Sequence, residues 1–337
     1  MAMKSFLAGF LGVSTMFFMA LTPARAEDPL AFPLGCRAGS TCWIMGYPDL
    51  NRAPDIAQDY MCGPGADEGD VFMHIALPDL GVMKLGMSVI AIDDGKVVDA
   101  SDELDDTIAS SRAQVKTGTP NCGNGIVIEH AGGMESVYCH LKKGSARVAT
   151  GDRVSKGQII ASAGQSGVAF WPQLGFSMRK SGFFIDPVTG ASPIEGCGSK
   201  PHPAVAIPDE FLKYQPAAIV ALGFSNTPVT EAQLVRGDAP RFAGLDSGER
   251  SMNLWAMILG VKQNDKIEIR LRDPRGRTFY YSDITADKDM TRMPLNITRT
   301  RGYANWRTGL YTGEITLTRK IGVIPYSVTR DVTMEVD

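Results

Sequence analysis

Histidine side chains are the groups of this chain best suited to acid–base catalysis or metal binding, and the 337-residue sequence contains four: His74, His130, His140 and His202. Asp70 precedes His74 by four residues, so in an extended segment both side chains lie on one face. Both are metal-ligand types, but a catalytic zinc requires three protein ligands and one open position. His130 lies beside a predicted turn and His202 between two prolines, which is typical of packing or surface histidines. Any histidine-based site must draw on these four residues, of which His130 and His202 are the weaker candidates.

The sequence shows no other motif for nucleophilic catalysis. AGQSGV, at residues 163–168, is not the G-x-S-x-G turn of serine hydrolases, and a phosphate-binding P-loop is absent. Cys139 and His140 are adjacent, and adjacent side chains in a strand leave opposite faces, so we expect them not to form a dyad. Chemistry in this chain therefore depends on its histidines.

The N-terminal segment is typical of an exported protein. An apolar run from Phe6 to Leu21 is followed by Ala24-Arg25-Ala26, the small-residue pattern of a cleavage site, so residues 1–26 are predicted to be a cleaved signal peptide. The run is short for a membrane anchor and no second run could span a bilayer, so no stable membrane span is expected after cleavage. A formal net charge of −3 and a pI near 5.9 give no broad basic surface, which argues against nucleic acid as a partner.

Six cysteines follow this segment, and an even number in an oxidising compartment favours disulfides. Six cysteines allow 15 pairings, so the connectivity stays open. In the predicted hairpin GIVIEHAGGMESVYCHL a three-residue loop places Cys139 opposite Gly125, and a Cys122–Cys139 bridge would then require a bulge or bend on the first strand. The disulfide candidates are Cys36, Cys42, Cys62, Cys122, Cys139 and Cys197.

Short strand-type runs between turn residues indicate a mainly β chain. Residues 27–67 are rich in Gly, Pro, Asp and Cys and predict a disulfide-pinned, loop-rich segment. Runs such as MSVIAI, GKVVDA and GIVIEH then predict a β domain over residues 68–197. A Pro-bearing passage over 198–228, with one short helix near 209–214, predicts a linker.

The C-terminal part has the alternation of half-buried strands. KIEIRLRDPRG and TGLYTGEITLTRK are examples, and they predict a smaller, immunoglobulin-like β-sandwich over residues 229–337. Trp255 and Trp306 are expected to anchor its core rather than to form a ligand platform.

Four motifs of the first half occur together in a known family: Gly-Asn-Gly at 123–125, Tyr-x-His-Leu at 138–141, GDRVSKGQIIASAGQSG at 151–167 and Asp-Pro at 186–187. With them, residues 36–190 resemble the lysostaphin-type, LytM-like zinc endopeptidases, which cut peptidoglycan cross-bridges. The resemblance implies a LytM-like β-barrel or β-sheet domain over residues 68–197. The predicted sandwich lies outside it.

In that family, zinc is held by the His and Asp of an H-x-x-x-D motif and by the second His of an H-x-H motif. The Tyr-x-His-Leu histidine and the first His of H-x-H assist the attacking water. Carried onto this sequence, the ligand positions fall on Asp70, His74 and Gly175, and the assisting positions on His140 and Gln173. His140 alone keeps the family residue. Because Gly175 has no side chain and Gln173 cannot take up a proton at neutral pH, the resemblance implies a degenerate member, with no zinc, other cofactor or active catalytic residue expected.

Phe72 and Met73 stand where the family has small or short polar residues, and we expect them to fill the cleft or to form an apolar floor. A purely structural alternative is that Asp70 and His74 pair with each other and that His140 only forms hydrogen bonds to its neighbours. The candidates for binding in the cleft are Phe72, Met73, His74, His140 and Gln173.

The resemblance implies a non-catalytic periplasmic protein that binds a peptidoglycan stem peptide or a partner cell-wall hydrolase, such as an amidase, and regulates cell-wall remodelling. Two alternatives stay open. One is an active zinc-dependent endopeptidase with a rewired site of Asp70, His74 and His140. The other is a structural envelope module that acts only through the C-terminal sandwich.

Overall fold

The computed structural model describes residues 29–107, 121–198, 207–215 and 217–337, together with Met1 and Lys200. The fold is mainly β, as predicted. Residues 2–26 of the predicted signal peptide and His202 lie outside the described residues, within which no helix has the length and apolar character to cross a membrane. The elements are β1 (Trp43–Gly46), β2 (Met73–Ala76), α1 (Leu80–Leu85), β3 (Met87–Ile90), β4 (Gly95–Ser101), β5 (Gly125–His130), β6 (Met134–Cys139), β7 (Arg153–Val154), β8 (Ile159–Ala163), β9 (Gln173–Lys180), β10 (Phe183–Ile185), α2 (Asp209–Leu212), β11 (Ala218–Ser225), α3 (Glu231–Arg236), β12 (Gly244–Leu245), β13 (Ser251–Val261), β14 (Lys266–Arg272), β15 (Thr278–Thr285), β16 (Met290–Thr300), β17 (Gly309–Ile321) and β18 (Ile324–Val336).

An antiparallel sheet forms the first domain. Its strands follow the order β1-β2-β9-β6-β5-β4-β7, and β10 pairs with β9. Strands β3 and β8 form a separate pair. Tyr138 and Phe176 are among the largest fully buried side chains of the core. Strands β2, β9 and β6 lie side by side near the middle of the sheet, and they carry most of the predicted site positions.

Disulfides close the first domain at three places: Cys36–Cys42, Cys62–Cys197 and Cys122–Cys139. The prediction of disulfides is confirmed, and a bend near Cys122 is present at Gly123, which has a φ of 68° two residues before β5 begins. Within the predicted segment 27–67, the described residues 29–67 are mostly loop, but they also contribute β1 to the edge of the main sheet. The Cys62–Cys197 bond ties this segment to the end of the domain.

The second domain begins earlier than the sequence predicted. Strand β11 lies within the predicted linker 198–228, is buried along its whole length and pairs with β13. Its run AIVALGF is apolar throughout because both faces are covered, so it lacks the alternation that marks a half-buried strand. The short helix expected near 209–214 is α2.

The second domain is a two-sheet sandwich. The three-stranded sheet β11-β13-β16 packs on the five-stranded sheet β12-β18-β17-β14-β15. Pro294 lies in β16, an edge strand, where the missing N–H is tolerated. Trp306 packs against this core and its Nε1 donates to the carbonyl of Glu249 at 2.9 Å, which confirms its anchoring role. The immunoglobulin-like relationship stays a prediction.

The two domains share a further apolar core. Trp43 and Trp171 of the first domain cluster with Trp255, a fully buried residue of β13. The Arg330 guanidinium lies 5.1 Å from the centroid of the Trp43 ring. Trp255 is therefore a core anchor, as predicted, but it anchors the domain interface. The sandwich packs directly on the first domain.

Candidate functional site

Three neighbouring strands bring the predicted site positions together. His74 on β2 lies opposite Gly175 on β9, and Gly175 lies opposite Cys139 on β6. Directly opposed residues of an antiparallel pair have side chains on the same face. Asp70 precedes β2, and His140 directly follows β6. The register thus gathers Asp70, His74, His140 and Gly175.

Asp70 and His74 form an ion pair. Nε2 of His74 lies 2.7 Å from Oδ2 of Asp70, and Oδ1 accepts the backbone N–H of Phe72 at 2.9 Å. Burial alone would raise the pKa of Asp70, but attraction to His74 and hydrogen bonding outweigh burial and lower it. Burial would likewise lower the pKa of His74, but the Asp70 carboxylate raises it overall. The structure therefore has the alternative arrangement in which Asp70 and His74 pair with each other.

His140 is held as a neutral ring. Its Nδ1 lies 2.9 Å from the carbonyl oxygen of Ser166, so Nδ1 carries the proton. Its ring stacks on that of His74, with centroids 5.8 Å apart and an interplanar angle of 25°. Burial, and next the charge of His74, lower the pKa of His140 to about 4. The two stacked histidines therefore favour opposite charge states.

Cys139 and His140 do not leave opposite faces, so the sequence prediction is wrong here. A Cβ atom on Gly175 would lie 3.3 Å from Cβ of Cys139 and 3.0 Å from Cδ2 of His140, so both side chains reach the same side of β9. His140 has a φ of 61°, and this left-handed backbone turns it out of the strand alternation. A dyad is still impossible, because Cys139 is bonded to Cys122.

The residues at these positions do not fit a zinc site like that of the family which the sequence resembles. The ring of His140 occupies the space beside Gly175, His74 Nε2 is engaged by Asp70, and His140 Nδ1 by Ser166. In the part of the chain that the structure describes, no group of three or more His, Cys, Asp or Glu could hold a metal. A catalytic zinc needs three protein ligands, so the rewired site of Asp70, His74 and His140 has no geometric support.

The other three candidates for the cleft, Phe72, Met73 and Gln173, lie in different surroundings. The Phe72 ring lies 6.3 Å from that of His74, whereas Met73 is fully buried in the core opposite Phe176. Because successive strand residues point to opposite faces, the expectation that both line the cleft is wrong for Met73. Gln173 is 4% exposed, and its Oε1 makes no hydrogen bond within the described residues.

His130 has a packing role, as predicted. It is 5% exposed, and its Nδ1 and Nε2 lie 2.9 Å from the carbonyl oxygen of Asp94 and 2.7 Å from Oγ of Ser136. Both ring nitrogens are thus used in local contacts.

A cavity of about 170 Å³ between the two domains was not predicted from the sequence. Asp70 and His74 line it from the first domain, and Lys262 and Arg319 line it from the sandwich. His140, Phe72 and Gln173 do not line it. One sequence signal could have found Arg319: it continues the inward-facing register of β17, where a charge is unexpected.

We expect the contribution of His140 to the free energy of unfolding to fall as the pH drops from about 6.5 to about 4, because His140 then takes up a proton only in the unfolded chain. Burial raises the pKa of Asp186 to about 6, so its contribution rises over the same range and opposes that of His140. The gap between a pKa of 6.5 unfolded and about 4 folded corresponds to at most about 3 kcal/mol. His74 acts oppositely: since its pKa is raised, its contribution is complete below 6.5 and is lost as the pH rises through the folded value. Denaturant unfolding across this pH range measures the sum.

The control for this prediction is His140→Asn, because Nδ2 of asparagine matches the position of the Nδ1 that bonds to the Ser166 carbonyl, and asparagine tolerates the positive φ of this residue. Between pH 6.5 and 4 the variant should therefore lose less stability than the natural chain, and the difference between the two profiles is the contribution of His140. An unchanged pH dependence in the variant would contradict the assignment to His140.

Comparison with known proteins gives a family match for part of the chain. Residues 79–187 match Peptidase family M23. The chain is 35% identical over 71 residues to the DD-carboxypeptidase/endopeptidase Mpg of Neisseria meningitidis and of Neisseria gonorrhoeae, a stretch that covers 21% of this chain and 16% of those relatives. The match includes His140, Gln173 and Gly175 and begins after Asp70 and His74.

Solved structures show partial likeness. A SpoIIQ–SpoIIIAH pore-forming complex matches with a TM-score of 0.34 and 18% identity over 49% of this chain and 92% of that one. The catalytic domain of lysostaphin from Staphylococcus simulans matches with a TM-score of 0.27 and 24% identity over 42% and 85%. The family match, and not these partial likenesses, identifies the domain.

Proposed function

Residues 79–187 of this chain are a Peptidase family M23 domain, and we propose that the protein uses this domain for binding and not for hydrolysis. Its target is peptidoglycan, through a stem peptide, or a partner cell-wall hydrolase such as an amidase. It acts in the periplasm and regulates cell-wall remodelling.

The state of the family's metal site supports this proposal most strongly. Gly175 supplies no ligand, and the His140 ring fills the space that a side chain there would need. His74 is paired with Asp70 and stacks on a neutral His140. Because the residues present do not fit a zinc, no metal-activated water is supplied, and of the two positions that assist that water only His140 keeps a histidine. A scaffold that keeps its strands without this chemistry can still bind.

The location rests on a separate observation. Three disulfides, one of which joins residues 135 apart in sequence, favour an oxidising compartment for folding. The predicted signal peptide is consistent with export.

Metal analysis combined with a hydrolysis assay tests the proposal. We expect purified protein to contain no stoichiometric zinc and to cleave peptidoglycan cross-bridges at least about 10⁴-fold more slowly than an intact zinc peptidase. The positive control is an intact zinc peptidase of the family, assayed for zinc content and for cleavage of the same substrate under the same conditions. Stoichiometric zinc with turnover in the natural protein would refute the proposal.

Binding requires its own measurement. We expect the full chain to co-sediment with insoluble peptidoglycan or to retain a hydrolase from an envelope extract. Deleting residues from 229 onward would not isolate the first domain, because β11 and β13 share a core with Trp43 and Trp171. Point variants in the full chain are therefore the appropriate test, and absence of both kinds of binding would end the proposal.

A further inference from the structure

The cavity between the domains contains polar nitrogens that the described residues leave without a partner. His74 and Arg319 both line it, and His74 Nδ1 and Arg319 Nη1 are buried without a hydrogen bond. Arg319 is 3% exposed. A buried donor without an acceptor is destabilising, so a ligand that supplies acceptors here gains more than it would at the surface.

The charges around the cavity already have counter-ions. Lys262 Nζ lies 3.1 Å from Asp67 Oδ1 and 3.3 Å from Asp289 Oδ2. His74 is paired with Asp70 at 2.7 Å, and Arg319 with Asp265 at 2.7 Å. A ligand with a net charge would therefore enter without a free partner, and burying an unpaired charge is costly. An uncharged hydrogen-bonding ligand avoids this cost.

The walls of the cavity also suit the backbone of a peptide ligand better than a bulky side chain. Gly46, Gly65 and Gly260 line the cavity, so main chain and not side chain forms part of its surface. A volume of about 170 Å³ accommodates one small residue with its flanking amide. A peptide amide is uncharged, and it offers an acceptor for the two unpaired nitrogens and a donor for the carboxylates.

We propose that this interdomain cavity binds one residue of an uncharged peptide segment, through an amide carbonyl that accepts hydrogen bonds from Arg319 and His74. This inference rests on the proposed function and deepens it, because it names the ligand class and adds the sandwich to the binding surface. Binding then requires both domains.

Filling the cavity tests the inference. Gly46 lies in β1 outside the left-handed region, and a Cβ there would lie 3.4 Å from Cδ2 of His74, so Gly46→Val fits the backbone and projects into the cavity. The matched control is Gly302→Val, at an exposed position where a Cβ would meet nothing within 4 Å. The probes are N-acetylalanine methylamide, which is uncharged, and sodium acetate. Binding is followed by NMR at His74 Nδ1 and at the Thr291 amide.

We expect the methylamide to shift these resonances saturably and acetate to bind more weakly. Gly46→Val should reduce affinity for the methylamide at least about tenfold, and Gly302→Val should leave it unchanged. Equal binding by Gly46→Val, or stronger binding of acetate, would overturn the inference.

Co-sedimentation with insoluble peptidoglycan and hydrolase retention from envelope extract separate this inference from the proposed function. If Gly46→Val binds as well as the natural chain in these assays and the methylamide does not bind the natural chain, the cavity inference fails and the proposed function stands. If the natural chain itself shows neither kind of binding, the proposed function fails and takes the inference with it.

Discussion

Replacing Asp265 by alanine is expected to lower the free energy of unfolding by about 3–5 kcal/mol. Asp265 and Arg319 are 1% and 3% exposed, and they meet at two points, Nε to Oδ1 at 2.9 Å and Nη2 to Oδ2 at 2.7 Å. Without the carboxylate, the guanidinium stays buried, and among the described residues only the Gly260 carbonyl still accepts a hydrogen bond from it. The cost comes from this uncompensated charge.

Urea unfolding at neutral pH measures the effect, and two variants calibrate it. Asp238→Ala removes the exposed Arg236–Asp238 pair and should cost less than about 1 kcal/mol. The double variant Asp265→Leu with Arg319→Met removes both charges and should recover most of the loss, because a buried pair replaced by apolar groups is often neutral. A loss for Asp265→Ala no greater than that for Asp238→Ala would show that the pair is not isolated from solvent.

The sequence predicted those parts of the fold that have a local signal. Strands such as β5 and β14 alternate apolar and polar residues, because one face is buried and the other is not. The bend before β5 followed from the spacing of Cys122 and Cys139. In contrast, β11 was missed because neither of its faces is solvated, so the period of two disappears.

The candidate site was predictable only in part, for a similar reason. The resemblance pointed to His74, His140 and Gly175, and the register of β2, β9 and β6 brings them together. What the side chains do there depends on tertiary detail, such as the left-handed backbone of His140 and the space beside Gly175. The interdomain cavity had no local signal, because its walls come from segments about 200 residues apart, as at Asp67 and Lys262.

The largest effect on stability is expected from the Cys62–Cys197 disulfide. The entropy of the closed loop in the unfolded chain predicts losses of about 5, 3 and 2 kcal/mol for opening the bonds Cys62–Cys197, Cys122–Cys139 and Cys36–Cys42, whose cysteines are 135, 17 and 6 residues apart. Paired Cys→Ser variants, unfolded in urea under identical conditions, test this order. A loss for the Cys62–Cys197 pair smaller than that for the Cys36–Cys42 pair would contradict it.

The same disulfide also controls the proposed peptide site, so its removal should affect binding beyond stability. Cys62 lies between β1 and Gly65, which together supply first-domain residues to the cavity wall, and Gly198 N–H donates to the Tyr60 carbonyl beside the bond. Freeing this segment raises the entropy lost when a ligand orders it, so affinity for N-acetylalanine methylamide should fall even where the variant stays folded. The Cys36–Cys42 variant is the matched control, because its short loop lies outside the cavity lining. Equal affinity in both variants would show that β1 holds the wall in place without the covalent tie.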